Sequence, residues 1–440
     1  MFHQISERQI HLIRWFLTLS WLVLILSLFY DPISPQLTAP NHPWSPFSFN
    51  IETCIQVQGV CLEQKPYPLG TTIFWGFVVP SAIFILLVFG HELWRRICPL
   101  SFISQIPRAL GIQRKHQKIN SLTGAIHQEV VRVPKNSWLS RNHSYLQFGL
   151  LYVGLCGRLL FFNAEPWALG LICLIIIASA IFVGYLYDGK SWCQYFCPMY
   201  PVQRIFGEPR GLFTSEAHTS KQTITQSMCR VSNSKKDEKS NCTGCQHPCI
   251  DIDAEKSYWS GINQPSRKFL YYGYVGLVIG YFFYYNLYAG NWNYYLSGIW
   301  THENNQIATV MAPGFYLFGN PSPIPKLVAV PLTLGLFTWG GYFCGRKLEK
   351  VYITYQLKQN PRLSLEQIQN QIFALCTFFI FNFFFLFGSY PVMGILSKVE
   401  VHFIEEIVIL VSALWLGRTW QRSLKLYLSE KQNDQTKFTS

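Results

Sequence analysis

Apolar runs separated by polar, basic stretches dominate the chain. A helix needs about 17–25 residues to cross a bilayer. Eight runs reach that length, at 11–30, 70–90, 145–163, 166–187, 269–290, 324–344, 371–393 and 401–418. The pattern predicts an all-α polytopic membrane protein with about eight transmembrane helices. It divides into an N-terminal membrane domain of four helices (1–187), a cytoplasmic segment (188–268) and a C-terminal membrane domain of four helices (269–440). The first run lacks the small-residue cleavage site of a signal peptide, and Tyr30-Asp31-Pro32 follows it instead. The sixth carries Pro325 and Pro331, which membrane helices tolerate. The eighth is interrupted by Glu405 and Glu406.

Composition supports this reading. Of 440 residues, 50% are apolar, 16% aromatic and only 13% charged. That excludes a disordered chain, a collagen and an ordinary cytosolic enzyme, and it calls for lipid to cover part of the surface. The net charge of +13 would suggest nucleic acid in a soluble protein. Its distribution says otherwise. Residues 1–14, 91–144, 188–268, 345–370 and 418–440 hold 2, 9, 11, 5 and 5 of the 36 Lys and Arg. The alternate loops hold only Lys65, Lys326 and Lys398, and Arg158 lies inside a run. The positive-inside rule then puts both termini and the basic loops in the cytoplasm. The charge reads as topology and contact with anionic lipid, not nucleic acid.

The 13 Cys sort by side. Cys54 and Cys61 fall in the first outer loop, where an oxidising compartment favours a disulfide. Cys156, Cys173 and Cys376 lie within runs and read as small buried hydrophobes. Eight remain on the cytoplasmic side. In a reducing compartment, clustered Cys point to metal or catalysis. Cys242-Thr-Gly-Cys245-Gln-His-Pro-Cys249 matches the last three Cys of the iron–sulfur run C-x2-C-x2-C-x3-C-P. Lys239 occupies the first position and Ile250 replaces the closing Pro, so Cys229 is the substitute fourth ligand. A zinc ribbon would need a second C-x2-C. His247 is another donor in the run. One 4Fe-4S cluster on Cys229, Cys242, Cys245 and Cys249 is therefore expected. Cys193 and Cys197 of Trp192-Cys193-Gln-Tyr-Phe-Cys197-Pro198 follow the fourth run, and Cys98-Pro99 follows the second with Trp94 in the first Cys position. The two hairpins read as a weak duplication. Cys98, Cys193, Cys197 and Cys344 share one depth and make the ligand count of a second 4Fe-4S cluster.

At these residues the chain resembles the bacterial membrane polyferredoxins, 4Fe-4S binding membrane proteins of the NapH, NosR and CcoG type, over about 75–255. It departs from them in carrying a single degenerate ferredoxin run. The resemblance implies a bacterial cell membrane, a small cysteine-rich ferredoxin-like cytoplasmic insert, and electron transfer to or from a redox partner protein or a quinone. The alternative function is an iron–sulfur redox or metal sensor, or a metal-handling membrane protein. No nucleophile set or nucleotide fingerprint marks an independent enzyme. His91 and His143 at inner helix ends offer haem ligands as a further cofactor reading. Arg158 is a functional candidate by its depth. An ion pair with Glu165 at the nearby outer turn is its structural explanation.

Overall fold

The computed structural model describes residues 7–40, 45–47, 54–119, 126–213, 230–234, 237–240, 249–303, 305–393, 396 and 398–437. The architecture is helical. Helix α1 covers Glu7–Ser27, α2 Val79–Ile97, α3 Trp138–Gly157 and α4 Pro166–Leu186. Helix α5 covers Pro265–Ala289, α6 Lys326–Gln359, α7 Leu365–Asn382 and α8 Lys398–Trp420. Strands occur only as four two-stranded antiparallel hairpins among the described residues. In one of them, Ile55–Val57 pairs with Val60–Leu62, and Cys54 and Cys61 are disulfide-bonded across it with their Cα atoms 5.5 Å apart.

Among the described residues, four single π-helical turns interrupt this regularity. They are Phe74–Val78 ahead of α2, Arg158–Phe162 at the end of α3, Trp192–Phe196 after α4 and Phe383–Gly388 at the end of α7. Such turns widen a helix locally and recur at functional sites.

Six helical segments among the described residues are long and apolar enough to cross a membrane: Arg8–Ser27, Leu69–Ile103, Trp138–Phe162, Pro166–Leu186, Lys326–Gln359 and Leu365–Gly388. The sequence pattern predicts eight. The other two expected spans are formed as α5 and α8 but are less apolar. Helix α5 carries seven tyrosines, and α8 carries Lys398, Glu400, Glu405, Glu406 and Arg418. The tyrosines have a structural reason: α5 is the central helix and is enclosed by its neighbours on every side. Tyr271 stacks on Phe373 of α7 with ring centroids 4.0 Å apart, and the Tyr272 hydroxyl donates to Glu349 Oε2 of α6 at 3.0 Å. The hydroxyls of Tyr271, Tyr284 and Tyr288 likewise donate, to Arg204 O, Gly314 O and Glu303 Oε1, as burial favours.

Helices α5 and α6 approach so closely that only glycine fits. A Cβ on Gly276 would lie 2.0 Å from the Phe337 carbonyl oxygen, and one on Gly341 would lie 2.7 Å from Gly276 Cα. Small residues at such crossings let backbones pack in the absence of water. Helix α6 also runs 15 residues beyond the expected end of its span at 344, to Gln359. Lys268 Nζ at the start of α5 pairs with Glu349 Oε1 on this extension at 2.5 Å.

Candidate metal centre

Two chain breaks build the centre. Within α2, Gly90 takes φ 66° and ψ −174°, a left-handed conformation open to glycine. The helix bends there. His91 N donates to Gly207 O at 3.0 Å, while Leu212 N and Phe213 N donate to Leu87 O and Val88 O. The backbone groups freed by the bend are thereby satisfied. The rest of α2 ends at Cys98, because a proline pushes the residue before it into an extended conformation. Cys98 has φ −57° and ψ 116°. Cys197, before Pro198, repeats this geometry at φ −63° and ψ 121°. Its N–H donates to Trp192 O at 2.9 Å, closing the π turn that carries Cys193. Gln147 Nε2 of α3 holds the other side, donating to the Cys193 carbonyl at 3.2 Å.

These breaks bring three thiols together. Cys197 is buried with Trp192, Tyr200, Ala180 and Val183, and Cys193 and Leu100 pack against the same group. The Cys193 and Cys197 thiols lie within electrostatic reach of each other and of Cys98. Ile250, fully buried, belongs to that group too. Its chain neighbour Cys249 is half-buried, and Cys344 is exposed partway along α6. Cys229, Cys242, Cys245 and His247 lie outside the described residues; of the chain from 229 to 249 the structure describes the hairpin Arg230–Ser234 with Asp237–Ser240, and Cys249.

A buried ionic group stands beside the thiols. Asp251 Oδ2 pairs with Lys190 Nζ at 3.0 Å, and Oδ1 accepts from His91 Nε2 at 2.7 Å. Burial pushes the Asp251 carboxyl up, but Lys190 and His91 outweigh it and hold the group well below the usual carboxylate range. The partnership with Asp251 gives His91 a structural role. His143 bonds its own helix, Nδ1 to Ser140 O at 2.9 Å. Burial pushes the Cys193 thiol up to about 12 against the pull of Lys190, and it raises Cys197 further together with the neighbouring thiols. A thiol binds metal only as thiolate, so loading this pocket releases protons.

The stretch after Cys249 anchors the centre. Asp253 caps the helix Ala254–Gly261 by accepting from Lys256 N at 2.8 Å, and it accepts from the Tyr427 hydroxyl at 2.7 Å. Arg422 Nε donates to Glu255 Oε1 at 3.0 Å, and the Tyr258 hydroxyl to Asn370 Oδ1 at 2.8 Å. Sequence reasoning assigns this acidic, aromatic stretch no role. It missed Gln147, which nothing local marks as a neighbour of the cysteines, and it missed Lys190, which stands three residues before Cys193 but meets Asp251 only through folding.

The donor set suits an iron–sulfur cluster. Among the described residues, no three His, Cys, Asp or Glu side chains stand close enough to hold a single metal ion. A cubane is wider than an ion and spaces its thiolates farther apart. Trp192 Nε1 is buried in the same group with no hydrogen-bond partner among the described residues, and cluster sulfides accept N–H donors. A family model described as a 4Fe-4S binding domain matches residues 171–214. A 4Fe-4S binding domain is present. Its residues include Cys193 and Cys197 and stop short of the downstream cysteine run. No curated protein and no solved structure matches the chain.

Proposed function

We propose that this chain is a multi-pass membrane electron-transfer protein of the polyferredoxin type, with a 4Fe-4S cluster held by Cys98, Cys193, Cys197 and Cys249. The observation that carries the reading is the meeting of two Cys-Pro helix ends in one buried thiol pocket, one of them, Cys197-Pro198, inside the region matched by the 4Fe-4S binding domain. Cys249 replaces Cys344 as the fourth ligand, because Ile250 is built into the pocket and Cys344 is exposed. In two-cluster ferredoxins the last Cys of a run serves the other cluster. Cys229, Cys242 and Cys245 then serve a second cluster, with His247 as the remaining donor in that run. Helices α5 and α8 complete eight spans, both termini and the clusters lie on the cytoplasmic side, and the redox partner is a protein or a quinone. The residues bind and orient the cluster. Lys190, itself paired with Asp251, lies within electrostatic reach of the Cys98 and Cys193 thiols, and the apolar wall of Ala180, Val183 and Ile250 keeps water out. When bound, the cluster supplies one-electron exchange.

Anaerobic reconstitution tests this. Wild-type protein should hold more than about four Fe per chain with matching sulfide. Cys197→Ser and Cys249→Ser should each lose the same paramagnetic signal, and Cys344→Ser should keep it. A colourless zinc protein overturns the electron-transfer reading. Loss of the signal in Cys344→Ser but not in Cys249→Ser overturns the ligand set alone.

A further inference from the structure

At the end of the bundle opposite the cysteines, three of the four π turns converge on one cavity. Trp75 and Gly76 come from the turn before α2, Arg158 from the end of α3, and Phe384 and Gly388 from the end of α7. The cavity holds about 30 Å³, room for about two waters.

Its lining is rich in donors. Trp75 Nε1, Trp300 Nε1 and Thr72 Oγ1 are buried, and none has a hydrogen-bond partner among the described residues. Thr72 is 8% exposed and Trp300 5%. The Arg158 guanidinium lies 3.9 Å over the Trp75 ring and 5.2 Å from that of Tyr281, and its Nε donates to Asn163 Oδ1 at 3.3 Å. The expected ion pair with Glu165 is not made. Glu165 Oε1 instead accepts from Gln306 N at 3.2 Å. No carboxylate of the described residues lines the cavity. The Gly388 carbonyl there is already taken by the Tyr295 hydroxyl.

A cation at membrane depth without a counter-ion is costly, and so is each buried donor without an acceptor. One occupant relieves all of them: a small species that carries negative charge and accepts several hydrogen bonds. We propose that this cavity binds a small monovalent inorganic anion, a halide or a compact oxyanion of nitrite size. The volume admits such an ion and not a quinone ring. The three π turns explain the fit, since each widens its helix where the cavity needs room.

Bromide and nitrite are the probes, exchanged for gluconate at constant ionic strength with the full chain in lipid nanodiscs. The melting temperature should rise saturably with either ion, and bromide should quench tryptophan fluorescence over the same range. Arg158→Gln should abolish both responses. Thr72→Val and Trp300→Phe each remove one donor and keep the charge. Each should weaken binding by about tenfold, which keeps the test decisive if Arg158→Gln does not fold. Identical behaviour in all three salts overturns the site. So do saturation unchanged in every variant, and stabilisation by a soluble quinone but by neither anion.

Discussion

Asp251 carries more of the architecture than any cysteine. It is 4% exposed and neutralises Lys190 while accepting from His91, so one carboxylate ties α2, the loop after α4 and the chain leaving the cysteine run. Removing one partner of a buried pair leaves the other charge uncompensated, at about 3–5 kcal/mol. Asp251→Asn should therefore lower stability by that order in chemical denaturation of purified protein. Adding Lys190→Met should restore part of the loss, because the stranded charge is gone. Equal stability of the single and double variants would show that Lys190 is solvated by some other route. The cysteines behave differently. Their burial keeps Cys193 and Cys197 protonated at neutral pH, so their contribution appears only when metal displaces the protons.

Among the helices, the α5–α6 pair sets the spacing of the others. Gly276 and Gly341 meet backbone to backbone, and a side chain there must push two helices apart. Gly276→Leu should destabilise the protein by about 1–3 kcal/mol or more, read as earlier unfolding in a detergent titration. Gly340, next to Gly341, has open space beyond its Cα, and Gly340→Ala should be neutral or slightly stabilising through helix propensity. A matching loss in both variants would mean that glycine flexibility, and not contact, is what α6 requires. The helices that break are as informative as those that pack. Gly90 bends α2 so that its last two turns reach Cys98 at the pocket, and the proline after each thiol stops the helix where the ligand is wanted.

Over the whole molecule, chemistry separates to the two ends. One end gathers thiols, the Asp251 group and the ion pairs that Arg422 makes with Glu255 and Glu430. The other gathers aromatic rings around Arg158, the disulfide hairpin and Glu303 paired with Lys326 at 3.1 Å. With basic residues concentrated in alternate loops, the thiol end should face the cytoplasm. A fluorescent protein fused after Lys437 should then light up, and alkaline phosphatase fused after Lys65 should be active. Phosphatase activity from a fusion between residues 111 and 137 would invert the topology.

The amino-acid order by itself determined where most of the long helices run. Apolar runs and the alternation of basic loops are local quantities, and a bilayer selects on them directly. It also showed where helices must stop, since Cys98-Pro99 and Cys197-Pro198 act on the preceding backbone whatever surrounds them. It could not reveal that α5 spends its tyrosines on interior hydrogen bonds, because hydropathy does not see an acceptor on another helix. It grouped Cys344 with Cys98, Cys193 and Cys197 by depth, yet depth says nothing of lateral distance, and only packing placed Cys344 on an exposed face and Ile250 inside the pocket. The Arg158–Glu165 pair failed for the same reason. Seven residues apart in the chain, the two groups take other partners: Arg158 lies over Trp75 and donates to the nearby Asn163, and Glu165 accepts from Gln306, so that Trp75 and Gln306 are brought in by folding alone.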